Sequence, residues 1–308
     1  MHSPPPAERP WPTLPGTPAL NRGTVRRVSS EAIDDQWVAR RWTDPRSRVL
    51  LVGSRGEVST SSGGVLLVAP GDVAPGATPL ALGVDDDDVA YFAAVVDPPP
   101  EPTATLRELG VALGDRDVGL AVQAVGLANW HRGYRYSPRT GQPMRARAGG
   151  HVLYEPDTGV EHHPRTDPAV IMLVMDEHDR ALLGHQVSWP DGRYSTLAGF
   201  VETGETPEHA VVREVAEETG VQVHDLHYAG SQPWPFPASL MLGYYARARG
   251  VTPRPDGREI GSANWFTTAE LASAVAQETV RLPPRLSIAR ALIEGWYGGP
   301  LGEDSSWG

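Results

Sequence analysis

Residues 199–221 read Gly-Phe-Val-Glu-Thr-Gly-Glu-Thr-Pro-Glu-His-Ala-Val-Val-Arg-Glu-Val-Ala-Glu-Glu-Thr-Gly-Val, with Gly199, Glu205, Arg213-Glu214-Val215, Glu217-Glu218 and Gly220-Val221 as its fixed points. Thr206 suits an N-cap, Pro207 the first helical position and Gly220 the left-handed residue past the end, so the pattern predicts a helix over Pro207–Thr219. At 3.6 residues per turn Glu214, Glu217 and Glu218 fall within an arc of roughly 100°, beside a strip of Val211, Val212 and Val215 that anchors the helix to a core. Three crowded carboxylates repel one another unless a cation lies among them. Oxygen-only donors favour hard divalent ions, Mg²⁺ or Mn²⁺, which bind through substrate phosphates as well. Standing alone, Arg-Glu-Val-Ala-Glu-Glu is the solvated acidic face of a surface helix. The fixed identities around it overturn that reading, since they coincide by chance with a probability on the order of 10⁻⁸ per position.

Composition narrows the field. The chain of 308 residues is long enough for two domains, and 40% hydrophobic content supplies real cores. There is no cysteine, which removes disulfides and thiolate metal sites. The opening Met1-His2-Ser3-Pro4-Pro5-Pro6 lacks the apolar region of a secretion signal, and no apolar run nears the roughly 18 residues of a membrane span, so a cytoplasmic protein off the membrane is expected. All 27 basic residues are arginine, and the net charge of −11 argues against broad affinity for nucleic acid.

Residues 1–20 are proline-rich and expected to be disordered. Residues 21–126 hold short apolar runs, Val49-Leu50-Leu51-Val52, Gly64-Val65-Leu66-Leu67-Val68 and the stretch from Val89 to Val96, which read as strands of a small mixed α/β domain. Asp85-Asp86-Asp87-Asp88 reads as a hairpin tip, and a helical pattern runs from Asp117 to about Trp130. Residues 127–164 form an irregular linker. Residues 165–308 carry the strand Ala169-Val170-Ile171-Met172-Leu173-Val174, a hairpin into Ala181-Leu182-Leu183-Gly184, the glutamate helix, a strand from Leu240 and a helix from Leu286 to Trp296. The fold class is α+β, a mixed sheet between helices preceded by the smaller domain.

Past the helix comes Ser231-Gln232-Pro233-Trp234-Pro235-Phe236-Pro237-Ala238-Ser239-Leu240. Prolines at alternate positions cannot donate ladder hydrogen bonds, so a stiff extended loop entering a strand at Leu240 is expected, presenting Gln232, Trp234, Phe236 and Ser239 without an ordering cost. From the residues alone, aromatics that merely pack on the domain stay an open alternative.

Residues 199–221 resemble the Nudix box, the signature of hydrolases that cleave a nucleoside diphosphate linked to another group. The proline-aromatic loop resembles that of the NADH pyrophosphatases, the NudC-type members. Ala128-Asn129-Trp130-His131, Pro164-Arg165-x-Asp167-Pro168, Glu259 ahead of Trp265-Phe266, and Leu282-Pro283-Pro284 with Ser287-Ile288-Ala289-Arg290 agree, so the likeness spans residues 128–296. One departure stands out: the family's zinc-ribbon cysteine frame is occupied here by Ser137, Thr140, Glu155 and Thr158. No structural zinc is expected, and the off-frame His151, Asp157, His162 and His163 are not expected to rebuild one. The segment should fold by packing between domains.

The resemblance implies hydrolysis of NAD(H) to nicotinamide mononucleotide and AMP, and removal of NAD caps from RNA. It implies that Glu214, Glu217, Glu218 and Glu259, with the carbonyl of Ala198, hold Mg²⁺ or Mn²⁺, with Glu218 the indispensable residue. Arg213 pairs with Glu205 to brace the loop after Gly199. Phe200, Gln232, Pro233, Trp234, Pro235, Phe236, Pro237, Ala238, Ser239 and Ala289 are expected to contact the nucleotide, and Arg107 to reach it from the first domain, against the ordinary reading of a surface arginine. The family forms homodimers in which the residue at position 163, here His163, covers the base from the partner subunit. Two other readings compete. A broader hydrolase of ADP-ribose or similar dinucleotides is disfavoured by the proline-aromatic loop. A non-catalytic nucleotide sensor that binds DNA is disfavoured by the complete set of glutamates and the lack of a helix-turn-helix pattern.

Overall fold

The computed structural model describes residues 10–302. The chain divides into two compact units: Ala19–Asp167 with Pro233–Leu240, and Pro168–Gln232 with the residues from Met241 onward, joined by the described residues up to Pro18.

The first unit is built on seven strands, β1 (Arg48–Val52), β2 (Glu57–Ser61), β3 (Gly64–Val65), β4 (Leu67–Val68), β5 (Leu80–Val84), β6 (Ala90–Val95) and β7 (Thr103–Thr105), in the order β3-β2-β1-β6-β5, with β4 on β1 and β7 on β2. β1 and β6 are parallel and the other pairs antiparallel. The run from Gly64 to Val68, expected as one strand, is split at Leu66 because its halves serve different partners, β3 on β2 and β4 on β1. Helix α1 (Asp35–Trp42) lays Trp37 and Trp42 on Phe92, the latter edge-on at 5.2 Å. α2 (Leu106–Leu109) follows β7, and α3 (Asp115–Gly133) extends a little beyond the expected helix at both ends. Asp85–Asp88 lies at the turn between β5 and β6, where Asp85 accepts from the backbone of Asp87 and Val89.

The linker also belongs to this unit. It forms a three-stranded sheet of β8 (Arg145–Arg147), β9 (Val152–Tyr154) and β10 (Glu161–His162), in the order β10-β9-β8. The four positions of the missing zinc frame still meet. Glu155 is fully buried, Thr158 Oγ1 donates to it at 2.8 Å and His162 Nε2 lies 3.4 Å away. Hydrogen bonds, from Ser137 first and then Thr158, with His162 and Thr140 adding, hold its carboxyl down at about 2. Two tight turns survive, closed by Gly141 N–H to Ser137 O and Gly159 N–H to Glu155 O, both 2.8 Å. A buried carboxylate thus organises the ribbon from within, a feature the expectation of packing between domains did not include. Within the same unit, His131 bonds to Gly150 O and His151 to Ala81 O, both at 2.7 Å.

The second unit has six strands, β11 (Asp167–Met175), β12 (Ala181–Gln186), β13 (Leu197–Phe200), β14 (Val223–Trp234), β15 (Ser239–Ala248) and β16 (Ile260–Phe266), with α4 (Pro207–Thr219), α5 (Thr268–Ala276) and α6 (Ile288–Tyr297). The sheet order is β14-β15-β11-β12-β16, with β13 on β11. β11 is buried on both faces, so its residues alternate between two cores. Val170, Met172 and Val174 pack with Val211 and Val215 of α4, while Ile171, Leu173 and Met175 pack with Leu271 of α5 and Leu292 of α6. Each fully buried aliphatic side chain contributes roughly 1.5–3 kcal/mol to holding α4 against the sheet.

Two local expectations are revised here. β14 runs on through Pro233 to Trp234, because β14 is an edge strand and a proline there removes no needed ladder bond. Residues 10–18, from the stretch expected to be disordered, pack on this unit: Trp11 stacks on His227 at 5.4 Å, the Arg247 guanidinium carbon lies 4.6 Å from the Trp11 ring centroid, and Leu14 lies against the core. Residues 1–9 lie outside the described residues.

Candidate active site

β13 is held against β11 in the register Ala169↔Phe200, Val170↔Gly199 and Ile171↔Ala198, which places the start of residues 199–221 on the sheet. α4 begins and ends as its capping residues dictate: Thr206 Oγ1 accepts from His209 N–H at 3.3 Å, Pro207 occupies the first turn, and Gly220 takes φ 69°. Gly199 has a specific reason to lack a side chain, because a methyl there would overlap the carboxylate of Glu214.

Arg213 organises the box. It grips Glu205 with two bonds, Nε to Oε1 at 2.9 Å and Nη2 to Oε2 at 2.8 Å, and Nη2 also donates to the carbonyl of Phe200 at 2.9 Å. Glu202 N–H adds a third bond to Glu205 at 3.0 Å. Paired first with Arg213 and then with Glu202 N–H, the Glu205 carboxyl is held down at about 2. From Nη1 the same guanidinium reaches Glu214 at 2.8 Å and Glu217 at 3.2 Å.

The three helix glutamates are graded rather than equivalent. Glu217 is exposed, Glu214 is half-buried and Glu218 is only 4% exposed. Burial, then the negative charges of Glu214, Glu259, Asp256 and Glu217, push the Glu218 carboxyl up to about 8. Glu214 is raised for the same first reason, burial, with Arg213 opposing. Glu259 is placed by a turn: Asp256 accepts the backbone N–H of Arg258, Glu259 and Ile260 at 3.2, 3.1 and 2.9 Å, and Asp256 N–H bonds to Glu218 O at 3.2 Å. Sequence reasoning missed Asp256. Its signal is the dipeptide Asp256-Gly257, a strong turn former.

Among the described residues no three carboxylate or imidazole groups are disposed to hold a metal ion together, and Glu214 and Glu217 are bound to Arg213. The donors nonetheless fit a hard divalent cation. Glu218 Oε2 is buried without a hydrogen bond, in the field of Glu214 and Glu259, and such an oxygen is costly unless it meets a positive charge.

Of the other expected contact residues, Phe200 is 59% exposed. Gln232 is not presented to solvent but fully buried, its Nε2 donating to Leu286 O at 2.9 Å and its Oε1 left without a hydrogen bond. Ala289, expected to touch the nucleotide, is buried, with its N–H on Ser287 Oγ at 3.2 Å in the capped first turn of α6. Pro233, Trp234, Pro235, Phe236, Pro237, Ala238 and Ser239 belong to the N-terminal unit, as do Arg107 and His163. Arg107 lies over the rings of Trp234 and Phe236, and His163 is exposed near Glu161.

A mixed sheet carrying a capped glutamate helix, with its arginine-braced loop and a buried unpaired carboxylate, defines a Nudix hydrolase. The NUDIX domain model matches residues 165–286. The chain is 38% identical over 306 residues to the NAD-capped RNA hydrolase NudC of Mycobacterium bovis (strain BCG / Pasteur 1173P2), covering 92% of this chain and 96% of that protein. It is 43% identical over 187 residues to the NAD-capped RNA hydrolase NudC of Stutzerimonas stutzeri, covering 61% and 63%. It is also 36% identical over 241 residues to the NAD-capped RNA hydrolase NUDT12 of Macaca fascicularis, covering 69% and 51%. The chain belongs to the Nudix hydrolase family, in its NudC-type branch. No helix among the described residues is long and apolar enough to cross a membrane.

Proposed function

We propose that this protein hydrolyses the pyrophosphate bond of NAD(H), giving nicotinamide mononucleotide and AMP, and removes the same NAD cap from the 5′ end of RNA. The carrying observation is the buried, unpaired Glu218 oxygen beside Glu214 and Glu259, on the scaffold of Gly199, Glu205 and Arg213. The choice of substrate is supported by the proline-aromatic loop and by relatives that bear the name NAD-capped RNA hydrolase. Glu214, Glu217, Glu218 and Glu259, with the Ala198 carbonyl, hold Mg²⁺ or Mn²⁺. When bound, that ion neutralises diphosphate charge and acidifies water. Arg213 keeps Glu214 and Glu217 oriented, Gly199 leaves room for Glu214, and Asp256 fixes the approach of Glu259. Phe200, Trp234 and Phe236 offer aromatic faces to the dinucleotide. Hydrolysis then joins a water oxygen to one phosphorus and releases the bridging oxygen with the other nucleotide's phosphate. No structural zinc is expected, since the four frame positions hold Ser137, Thr140, Glu155 and Thr158 and the chain has no thiolate.

We read the working unit as a cytoplasmic homodimer in which the exposed His163 covers the base bound by the partner subunit. Light scattering should give a dimer, and His163→Ala should raise KM for NADH with little change in kcat. Product analysis with NADH, NAD⁺ and ADP-ribose in Mg²⁺ or Mn²⁺ tests the reaction. Nicotinamide mononucleotide and AMP from NADH are expected in preference to cleavage of ADP-ribose. Equal turnover of all three would mark a general dinucleotide hydrolase, and no turnover a sensor.

A further inference from the structure

Residues Pro233–Leu240 comprise the end of β14, the turn after it and the start of β15, yet they belong to the N-terminal unit. Their chemistry explains how that unit holds them. Pro233, Pro235 and Pro237 have no N–H, so the loop is rich in acceptors and π faces and poor in backbone donors. It needs donors and a cation from elsewhere, and two helices supply them.

Asn129, on α3, donates from Nδ2 to the carbonyls of Pro235 and Pro237 at 2.9 and 3.2 Å. Its Oδ1 accepts from Arg132 Nη2 at 2.8 Å, which orients the amide so that its donors face the loop, and Arg132 Nη1 is itself tied to Ser54 O. Gly126 lies one turn earlier on the same face of α3, where an added methyl would come within 3.8 Å of Pro235. Arg107, on α2, brings its guanidinium carbon to 4.1 Å from the Phe236 centroid and 5.1 Å from that of Trp234. The two rings meet edge to face at 5.0 Å and 75°. α2 itself is fixed by the capping box of Thr105 and Glu108 and by the fully buried Leu106, so the guanidinium is delivered from a rigid base.

We propose that Arg107 and Asn129 are positioning residues, which lock the Trp234–Phe236 pair in the arrangement that receives the dinucleotide. The proposal rests on the reading that the loop recognises substrate. It assigns Arg107 a role through the rings rather than direct contact with the nucleotide.

Arg107→Met, which keeps the stem and removes the charge, and Asn129→Leu should each raise KM for NADH about three- to tenfold, with kcat within about twofold of the native value. Arg107→Lys should restore most of the loss. In a double-variant cycle, Arg107→Met should add less in a Phe236→Leu background than in the native protein, because the nearer of its two rings is gone and the edge-to-face pair it holds is broken. Multiplying effects, or an unchanged KM in Arg107→Met, would overturn the proposal. A second readout addresses the loop itself. With 5-fluorotryptophan incorporated, the ¹⁹F resonance of Trp234, assigned by its loss in Trp234→Phe, should move in Arg107→Met and return in Arg107→Lys. An unmoved resonance refutes the positioning contact. A moved resonance together with a normal KM in Trp234→Ala and Phe236→Leu would instead refute the loop as the recognition element.

Discussion

Glu218 and Glu217 are adjacent in sequence and opposite in circumstance, one buried with an unpaired oxygen and the other exposed on Arg213. Glu218→Gln keeps the shape and removes the charge. Turnover should fall at least about 10²-fold at saturating Mg²⁺. In the presence of a chelator the same variant should melt no lower than the native protein, because a neutral amide replaces a buried carboxyl that burial and the surrounding carboxylates make costly to ionise. Thermal unfolding and steady-state kinetics on one preparation check both, and near-normal turnover would dismiss the assignment. Gly199→Ala makes a complementary test. The added methyl overlaps the Glu214 carboxylate, whose flexible end must swing away, so kcat should drop about 10- to 100-fold while the fold persists. At this scale Gly199, Glu205 and Arg213 were legible because their spacing is a motif. Asp256 was legible only as an Asp-Gly turn, since the backbone N–H groups through which it places Glu259 are not displayed by a sequence.

Elements were legible where their ends carry chemistry. α4 starts at Pro207 and stops at Thr219 because Thr206, Pro207 and Gly220 each leave one conformation favoured. The path of β14 through Pro233 was not legible, because whether a proline costs a ladder bond depends on the strand being an edge, a fact of the whole sheet. The ribbon was legible in frame but not in solution: Ser137, Thr140, Glu155 and Thr158 read as lost ligands, whereas in three dimensions the hydroxyls and His162 gather on one buried carboxylate. Glu155→Gln should therefore lower the melting temperature by a few degrees at neutral pH, and zinc should not restore it. The pH dependence has a definite sign. The folded carboxyl lies at about 2 against an ordinary 4.5, so its stabilisation is complete above pH 4.5 and is lost as pH falls toward 2. The native protein should lose stability through that window and Glu155→Gln should lose less, as thermal unfolding across pH will show.

At the scale of the whole molecule, the sequence changes texture near residue 165 and the two units divide between Asp167 and Pro168, but the loop at 233–240 was not assignable to the first of them, because prolines announce stiffness and not the partner that holds it. Charge was legible only as a total. A molecule of net charge −11 should repel an RNA chain, yet the ribbon concentrates arginine. Arg147 pairs with Glu161 and covers Tyr154, and Arg132 is bound to Ser54 and Asn129. Arg135, Arg139 and Arg145 are exposed and form no ion pair among the described residues. Arg135 and Arg145 are brought near each other by the hydrogen bond from Met144 N–H to Arg135 O, with Arg139 on the intervening turn. Three such cations on single-stranded RNA give a salt slope of about −2, so a fourfold rise in salt should weaken binding of NAD-capped RNA about twentyfold. NADH, which has no chain to follow, should be nearly indifferent. Replacing Arg139 and Arg145 by alanine should flatten the slope for capped RNA and leave kcat/KM for NADH unchanged, a contrast that kinetics on both substrates across a salt series measures directly. Equal salt dependence for the two substrates would mean that the ribbon arginines do not hold the RNA chain.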